Sequence, residues 1–389
     1  TATCGAFGDT RWRWMLYDLD VAGDKGADFD MLKYLSSNKM SGGSEPGFLI
    51  NQLWSNWNFR NYFVTRYANL LNTTFRPERM AAIITEAADA IAPEVESHFQ
   101  RWGHSFTEEQ WRTTVTNVLI DYTTERHANS WEHLDNHFGL GGTGSLEVNN
   151  IDPSGTGGEF IVNGITISTD TDGVTSRASW SGTFFQSLPI TVEAVPDAGY
   201  VFDGWVGTAV TNSSISLFVG EAPISLTARF RLADAPAYQP TGYEQWQLAN
   251  YSVQHILGDG AASADAPSGY AGMSNFLLYA FGINLSDGLT DAERLERARL
   301  SIQMLDSALW LGYTRLNDTY DDVRYTLKVA SSLAAPIIWN TATNGIDLDP
   351  VALTNILDAS TWYYKVRLSK DNPDHEMRFF KLEAIPEQP

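Results

Sequence analysis

The sequence predicts a multidomain α+β chain: a helical N-terminal portion, a small β-sheet domain, a short helical segment and a C-terminal β-sandwich. Three observations carry this reading. Apolar residues recur at helical spacing as far as residue 138, and a Gly-rich stretch, GLGGTGSLEVNN, then opens a region of short alternating stretches. A Pro- and Ala-rich stretch at 233–243 precedes a short helical segment, after which alternation resumes. The expected domains are therefore 1–140, 145–232, a linker with the short helical segment at 233–290, and 291–389. At 389 residues and 43% hydrophobic content the chain is long enough for several cores.

The first element is RWRWMLYDLD at 11–20. Trp12, Trp14 and Leu16 are apolar, and Met15, Tyr17 and Leu19 largely so, which suggests a strand buried on both faces. Side chains in a strand repeat with period two, so Asp18 and Asp20 point to the same side. Two close carboxylates repel unless a cation or a donor compensates them. Magnesium, a hard cation, commonly takes one or two carboxylates plus substrate phosphates. Locally, the same pattern also fits a strand end capped by solvated acids and feeding the turn at Gly23. An EF-hand is excluded, because Ala22 and Phe29 fall where oxygen ligands belong.

Helices follow. From 47 to 80, Phe59, Phe63, Tyr67, Leu70 and Leu71 line one face, with Arg60 and Arg66 between them. A second helical stretch, 80–102, has Ile83, Ile84, Ala87, Ile91, Val95 and Phe99 as its expected buried stripe, with Pro93 starting a new helix at its first turn. A third spans about 107–137, entered through Thr107, Glu108, Glu109 and Gln110, a capping box.

Taken in order, WRWMLYDLD, FRNYFVTRYANLLNTTF, IAPEVESHFQRW and a Trp-bearing helix with Arg126 resemble the C-terminal half of the CotH-type secreted protein kinase family. The resemblance covers roughly residues 7–138. It implies the helical C-lobe-like portion of an atypical protein kinase fold, with ATP and Mg2+ used in the full-length protein to phosphorylate Ser or Thr of extracellular proteins. On that resemblance Asp18 matches the metal-bearing Asp, and Asp20 is its companion. The family's nucleotide lobe and catalytic loop precede this strand and have no counterpart in residues 1–10. No G-x-x-x-x-G-K-[ST] or H-R-D-like string occurs elsewhere. Phosphoryl transfer needs phosphate cradling, metal and an oriented nucleophile together, so the chain by itself is expected to be inactive. It opens at Thr1 without an initiator methionine, in keeping with a processed or partial product.

Beyond residue 145, EFIVNGITIST, ITVEAVPDAGYVFDGW and ISLTARF alternate as strands do. The run ITVEAVPDAGYVFDGWVG with SLTARF resembles the internalin-type bacterial surface repeat, in which Tyr200, Phe202 and Trp205 are expected in a small core. Residues 244–288 resemble a calcium-type loop and helix of secreted bacterial proteins. SNFLLYAFG is kept, but of the acids only Asp265 remains near Gly269 and Gly272. From 300 to 385, turns at about ten-residue spacing between alternating stretches argue a β-sandwich, with Trp310, Tyr313 and Tyr325 in its core.

A formal net charge of −21 argues against nonspecific binding to nucleic acid or an anionic membrane. No apolar run is long enough to span a bilayer. The single cysteine, Cys4, excludes an intrachain disulfide and is a poor nucleophile candidate. His133 and His137 stand four apart, but Leu134 occupies the place of the H-E-x-x-H glutamate, and a solvated helix end answering the dipole is expected. The resemblances imply a secreted or bacterial cell-surface protein whose partner is an extracellular protein substrate or a cell-surface component. The alternative is a non-catalytic surface protein that keeps the kinase-like domain and β modules as scaffold or adhesin.

Overall fold

A computed structural model describes residues 25–37, 45–305, 308–317, 320–330, 340–342, 348–356, 361–368 and 379–387. The chain divides into two compact units, Thr1–Gly142 and Thr143–Pro389.

In the first unit all described elements are helical. Helix α1 (Met31–Ser36) starts where the Asp30 side chain accepts the Lys33 N–H at 2.9 Å. Helices α2 (Glu45–Ser55) and α3 (Trp57–Asn72) divide the stretch expected as one helix, because Asn56 is extended and its side chain caps α3 by accepting the Phe59 N–H. Along α3, Val64, Ala68 and Leu71 are buried, and Phe59, Phe63, Tyr67 and Leu70 are half-buried. The buried Trp54 packs its ring within 5.5 Å of Phe63 and edge-on to Phe138 and His137.

Helix α4 (Pro77–Arg101) corrects two expectations. It runs unbroken through Pro93. The Asp89 carbonyl that Pro93 cannot serve lies on the exposed side, where water can take its place. Its buried residues are Ala88, Ala92 and Val95, whereas Ile84 and Phe99 are half-buried and Ile83, Ala87 and Ile91 are exposed, Ile91 at 55%. The third stretch opens with the expected Thr107–Gln110 capping box on α5 (Glu108–Trp111). A π-helical turn at Arg112–Thr116 then leads into α6 (Asn117–Phe138). Gly139 ends α6 at φ +65°, in the left-handed region that a C-terminal cap requires. The Gly-rich stretch beyond it is held, since the Asp135 carboxylate accepts the N–H groups of Leu140 and Gly142.

The second unit begins with two four-stranded sheets. One has the order β4-β1-β8-β6, built from β1 (Thr143–Asn150), β4 (Ser179–Phe185), β6 (Tyr200–Trp205) and β8 (Ile224–Leu232). The other has the order β3-β2-β5-β7, from β2 (Gly158–Val162), β3 (Ile165–Ile167), β5 (Ile190–Pro196) and β7 (Ser214–Leu217). Strands β1 and β8 run parallel and the remaining pairs are antiparallel. Alternate residues such as Ile190, Val192 and Ala194 on β5 and Ile224, Leu226 and Ala228 on β8 fill a common core around Phe160 and Trp205. Trp205 is wholly buried and donates its indole N–H to the Asn212 carbonyl at 2.9 Å, while Tyr200 and Phe202 are half-buried.

Helices α7 (Gly242–Asn250) and α8 (Asn275–Ala280), a π-helical turn at Gln254–Gly258 and α9 (Asp291–Arg297) follow. Helix α9 occupies residues expected to open the sandwich, whose first strand is at Ser301. One sheet has the order β13-β14-β10-β9, from β9 (Ser301–Leu305), β10 (Ala308–Leu316), β13 (Leu348–Ile356) and β14 (Thr361–Leu368). The other has the order β12-β11-β15, from β11 (Val323–Ala330), β12 (Asn340–Thr341) and β15 (Phe379–Pro386). Leu311 and Tyr313 of the first sheet meet Leu327 of the second in a shared core, with Trp310 also buried and Tyr325 half-buried.

Replacing Trp205 by Ala removes the largest fully buried side chain of the chain's described core and is expected to cost about 3–5 kcal/mol. Chemical denaturation checks this, with the loss expected in amide protection of β2, β5 and β8 and not in α3 or α6.

Candidate functional site

Residues 25–37 continue the chain beyond the Asp18-x-Asp20 run. They are anchored through backbone oxygens. Arg126 on α6 donates through one guanidinium nitrogen to the carbonyls of Ala27, at 3.3 Å, and Phe29. Asn129, one turn on, donates its side-chain amide to the same Ala27 carbonyl at 3.0 Å. Residues three apart share a helix face, so the Arg126–Asn129 spacing lets both reach one loop. Ala27 and Leu32 are buried beneath this grip. On the same helix, the His127 ring is 3.1 Å from the Leu71 carbonyl, and Leu134 is fully buried. Both contacts fix the rotation of α6.

Beside the anchor lies a cavity of about 250 Å³ between α3, the start of α4 and α6. Tyr67, Leu71, Phe75, Met80 and Tyr122 give it apolar walls, and Thr123, Arg126, His127 and Ser130 supply the polar lining. One nitrogen of the Arg126 guanidinium is committed to the Ala27 and Phe29 carbonyls, so the side chain positions the loop from the cavity wall. The described part of the unit therefore provides a floor and a clamp.

Asp18, Asp20 and Cys4 lie outside the described residues. Among the described residues no group of three or more His, Cys, Asp or Glu could hold a metal ion. His137 differs from the solvated helix end expected for it. It is half-buried, 5.0 Å from the Trp54 ring, and burial holds its imidazole below the usual value, with Asp30 opposing in part.

In the second unit, the segment resembling a calcium-type loop is closed by side chains. The fully buried Asn275 donates its amide to the carbonyls of Ala261 and Ser263 at 2.7 and 2.9 Å and accepts from the Tyr251 hydroxyl. Gln247 and Tyr243 both donate to the Ala262 carbonyl. Asp265 is exposed.

Against known families, most of the first unit falls within one match. Residues 7–130 match the family model of CotH kinase protein. Residues 163–234 match that of the divergent InlB B-repeat domain. No curated protein and no solved structure matches the chain. The CotH-like segment contains Asp18, Asp20, the cavity and Arg126 and Asn129, and α6 continues beyond it to Phe138. The B-repeat match starts at Asn163, yet β1 and β2 are interior strands of the two sheets, so the folded module needs residues 143–162 as well. No helix among the described residues is long and apolar enough to cross a membrane.

In the sequence, Arg126 was visible only as a landmark of the resemblance. Asn129 carried no signal, because its partner is a backbone carbonyl 102 residues away.

Arg126→Ala is expected to speed amide exchange across residues 26–36 about 10-fold or more, in keeping with a local loss of about 1.5–3 kcal/mol for charge-assisted hydrogen bonds. A second expectation concerns pH. With the folded-state pKa of His137 held below the usual 6.5, the unfolded chain binds the extra proton first as pH falls. The His137 contribution is complete above about pH 6.5, shrinks as pH falls toward the folded value and is level below it. His137→Phe should flatten that part of the stability profile of the first unit, measured by denaturation between pH 7.5 and 5.

Proposed function

We propose that this chain is the downstream part of a secreted or cell-surface, ATP- and Mg2+-dependent protein kinase that phosphorylates Ser or Thr of extracellular proteins. The family match over residues 7–130 is the observation that carries the reading, because it takes in Asp18 and Asp20 together with the helices that follow. Asp18 would hold Mg2+, with Asp20 as its companion; the bound metal would neutralise phosphate charge during transfer. The chain's own contribution downstream is positional. Arg126 and Asn129 fix the backbone at Ala27 and Phe29, nine and eleven residues beyond Asp18.

Extracellular placement is supported by the combination of a CotH-like segment and a B-repeat module in one chain. The acceptor is accordingly read as an extracellular protein. Loss of the nucleotide function would leave the other reading, a surface scaffold or adhesin built from the same modules.

Mg-ATP should raise the melting temperature of the full-length protein by several degrees, since a ligand at about 100 times its Kd adds about 2.7 kcal/mol. Asp18→Ala should abolish that rise together with phosphate transfer from labelled ATP. An equal rise in both proteins would remove Asp18 from the metal site, and no rise in either would favour the scaffold.

A further inference from the structure

The Pro- and Ala-rich stretch between the B-repeat module and the next helix has the composition of a flexible tether, but its partners fix it in place. Arg231 donates to the carbonyls of Leu232, Ala233 and Ala235, and its Nε pairs with Asp203 at 3.1 Å. Asp203 is 10% exposed at its side chain and also accepts the Tyr238 N–H. The Tyr238 ring lies under the Arg229 guanidinium at 3.7 Å, and its hydroxyl donates to Glu244, the capping-box residue of α7. Strap and helix start are thus one hydrogen-bonded chain.

A second connection joins the same bodies. The Gln254 side-chain amide accepts the Phe218 N–H at 2.8 Å and donates to the Phe218 carbonyl at 3.0 Å, just past the edge strand β7. Val253, Ile256 and Leu257 pack on the module's core from the same turn. A free strand edge is a place where another chain can pair, and here a side chain of the helical segment satisfies its continuation.

The helical segment meets the sandwich just as closely. Asp322, ahead of β11, accepts the Tyr279 hydroxyl at 2.6 Å and the Tyr243 N–H at 2.7 Å, at the first turn of α7. The Tyr325 hydroxyl donates to the Ala280 carbonyl. Leu316 and Val323 are buried in one cluster with Trp246, Phe276 and Leu278. Gly242 permits this approach, because a Cβ there would stand 2.0 Å from the Tyr279 hydroxyl. Burial raises the Tyr279 pKa first, and the Asp322 carboxylate adds to it, so the hydroxyl stays a donor.

We infer that residues 242–297 are a keystone that locks the B-repeat module and the C-terminal sandwich into one continuous body, with 233–241 a strap and not a hinge. A ligand engaged by either β body is then presented at a fixed orientation to the other. The kinase reading of the first unit is not needed for this inference.

Denaturant-dependent hydrogen exchange on the full chain tests it. In the unaltered protein, β5, α8 and β11 should open at one common midpoint, and the amides of 234–241 should exchange well below the rate of an unstructured peptide. Separate midpoints, or free exchange of the strap, would overturn the inference with no variant required. Gln254→Ala combined with Tyr238→Ala should release β5 to a lower midpoint and raise exchange in the strap about 10-fold or more, the effect of losing several hydrogen bonds. Gly242→Ala should separate β11 from α8. If the three elements keep a common midpoint in both variants, these seams do not couple them and the inference fails.

Discussion

Irregular backbone that is packed against a fold must still satisfy its N–H and C=O groups, and in this chain polar side chains, most of them distant in sequence, meet that requirement at successive places. Arg126 and Asn129 serve the carbonyls of Ala27 and Phe29. Asp135 serves the N–H groups of Leu140 and Gly142, and Gln254 serves both groups of Phe218. Asn275, Gln247 and Tyr243 serve three consecutive carbonyls between Ala261 and Ser263. Where the served residue is buried, as at Ala27, leaving its carbonyl unpaired would cost about 1–3 kcal/mol. Helices and strands satisfy themselves, so the residues that decide how segments join are these few polar side chains.

That division explains what was legible in the sequence. Periodicity located the helical first unit, the β module and the returning strands, because regular elements write their own repeat, while the resemblance to the internalin-type repeat put Trp205 in the module's core. The Thr107–Gln110 capping box was legible because both partners sit within one turn. Asn129 and Gln254 were not, since nothing near them in sequence indicates the carbonyl or strand edge they reach. The partners of the linker stretch were hidden for the same reason, because composition counts residue types and says nothing of Asp203 or Glu244 at the far end of a hydrogen bond. For the metal pair, Asp18 and Asp20, the sequence and the family resemblance carry the reading, and both residues fall outside the described part of the chain.

Helix α4 shows a different limit. Val95 of the expected stripe is buried, but the larger Ile83 and Ile91 are exposed, and Ala88 and Ala92 are what the fold covers beside it. Ala88, Ala92 and Val95 stand at helical spacing, and their small side chains let another helix come close, as α6 does. A seam made by close approach leaves bulky neighbours on its flanks. Hydrophobic periodicity identifies the helix, whereas side-chain volume decides where two helices can meet.

The loop that resembles a calcium site extends the argument to chemistry. A calcium ion orders such a loop by gathering oxygens that would repel one another without it. Here the carbonyls of Ala261, Ala262 and Ser263 converge on the N–H and O–H groups of Asn275, Gln247 and Tyr243. Asn275 is fully buried and its own oxygen is engaged by Tyr251, so the amide is fixed in the orientation that donates to the loop. A cation entering the same place would have to displace those donors and leave them buried without partners. The helices on either side thus order the loop, which ties its conformation to their packing.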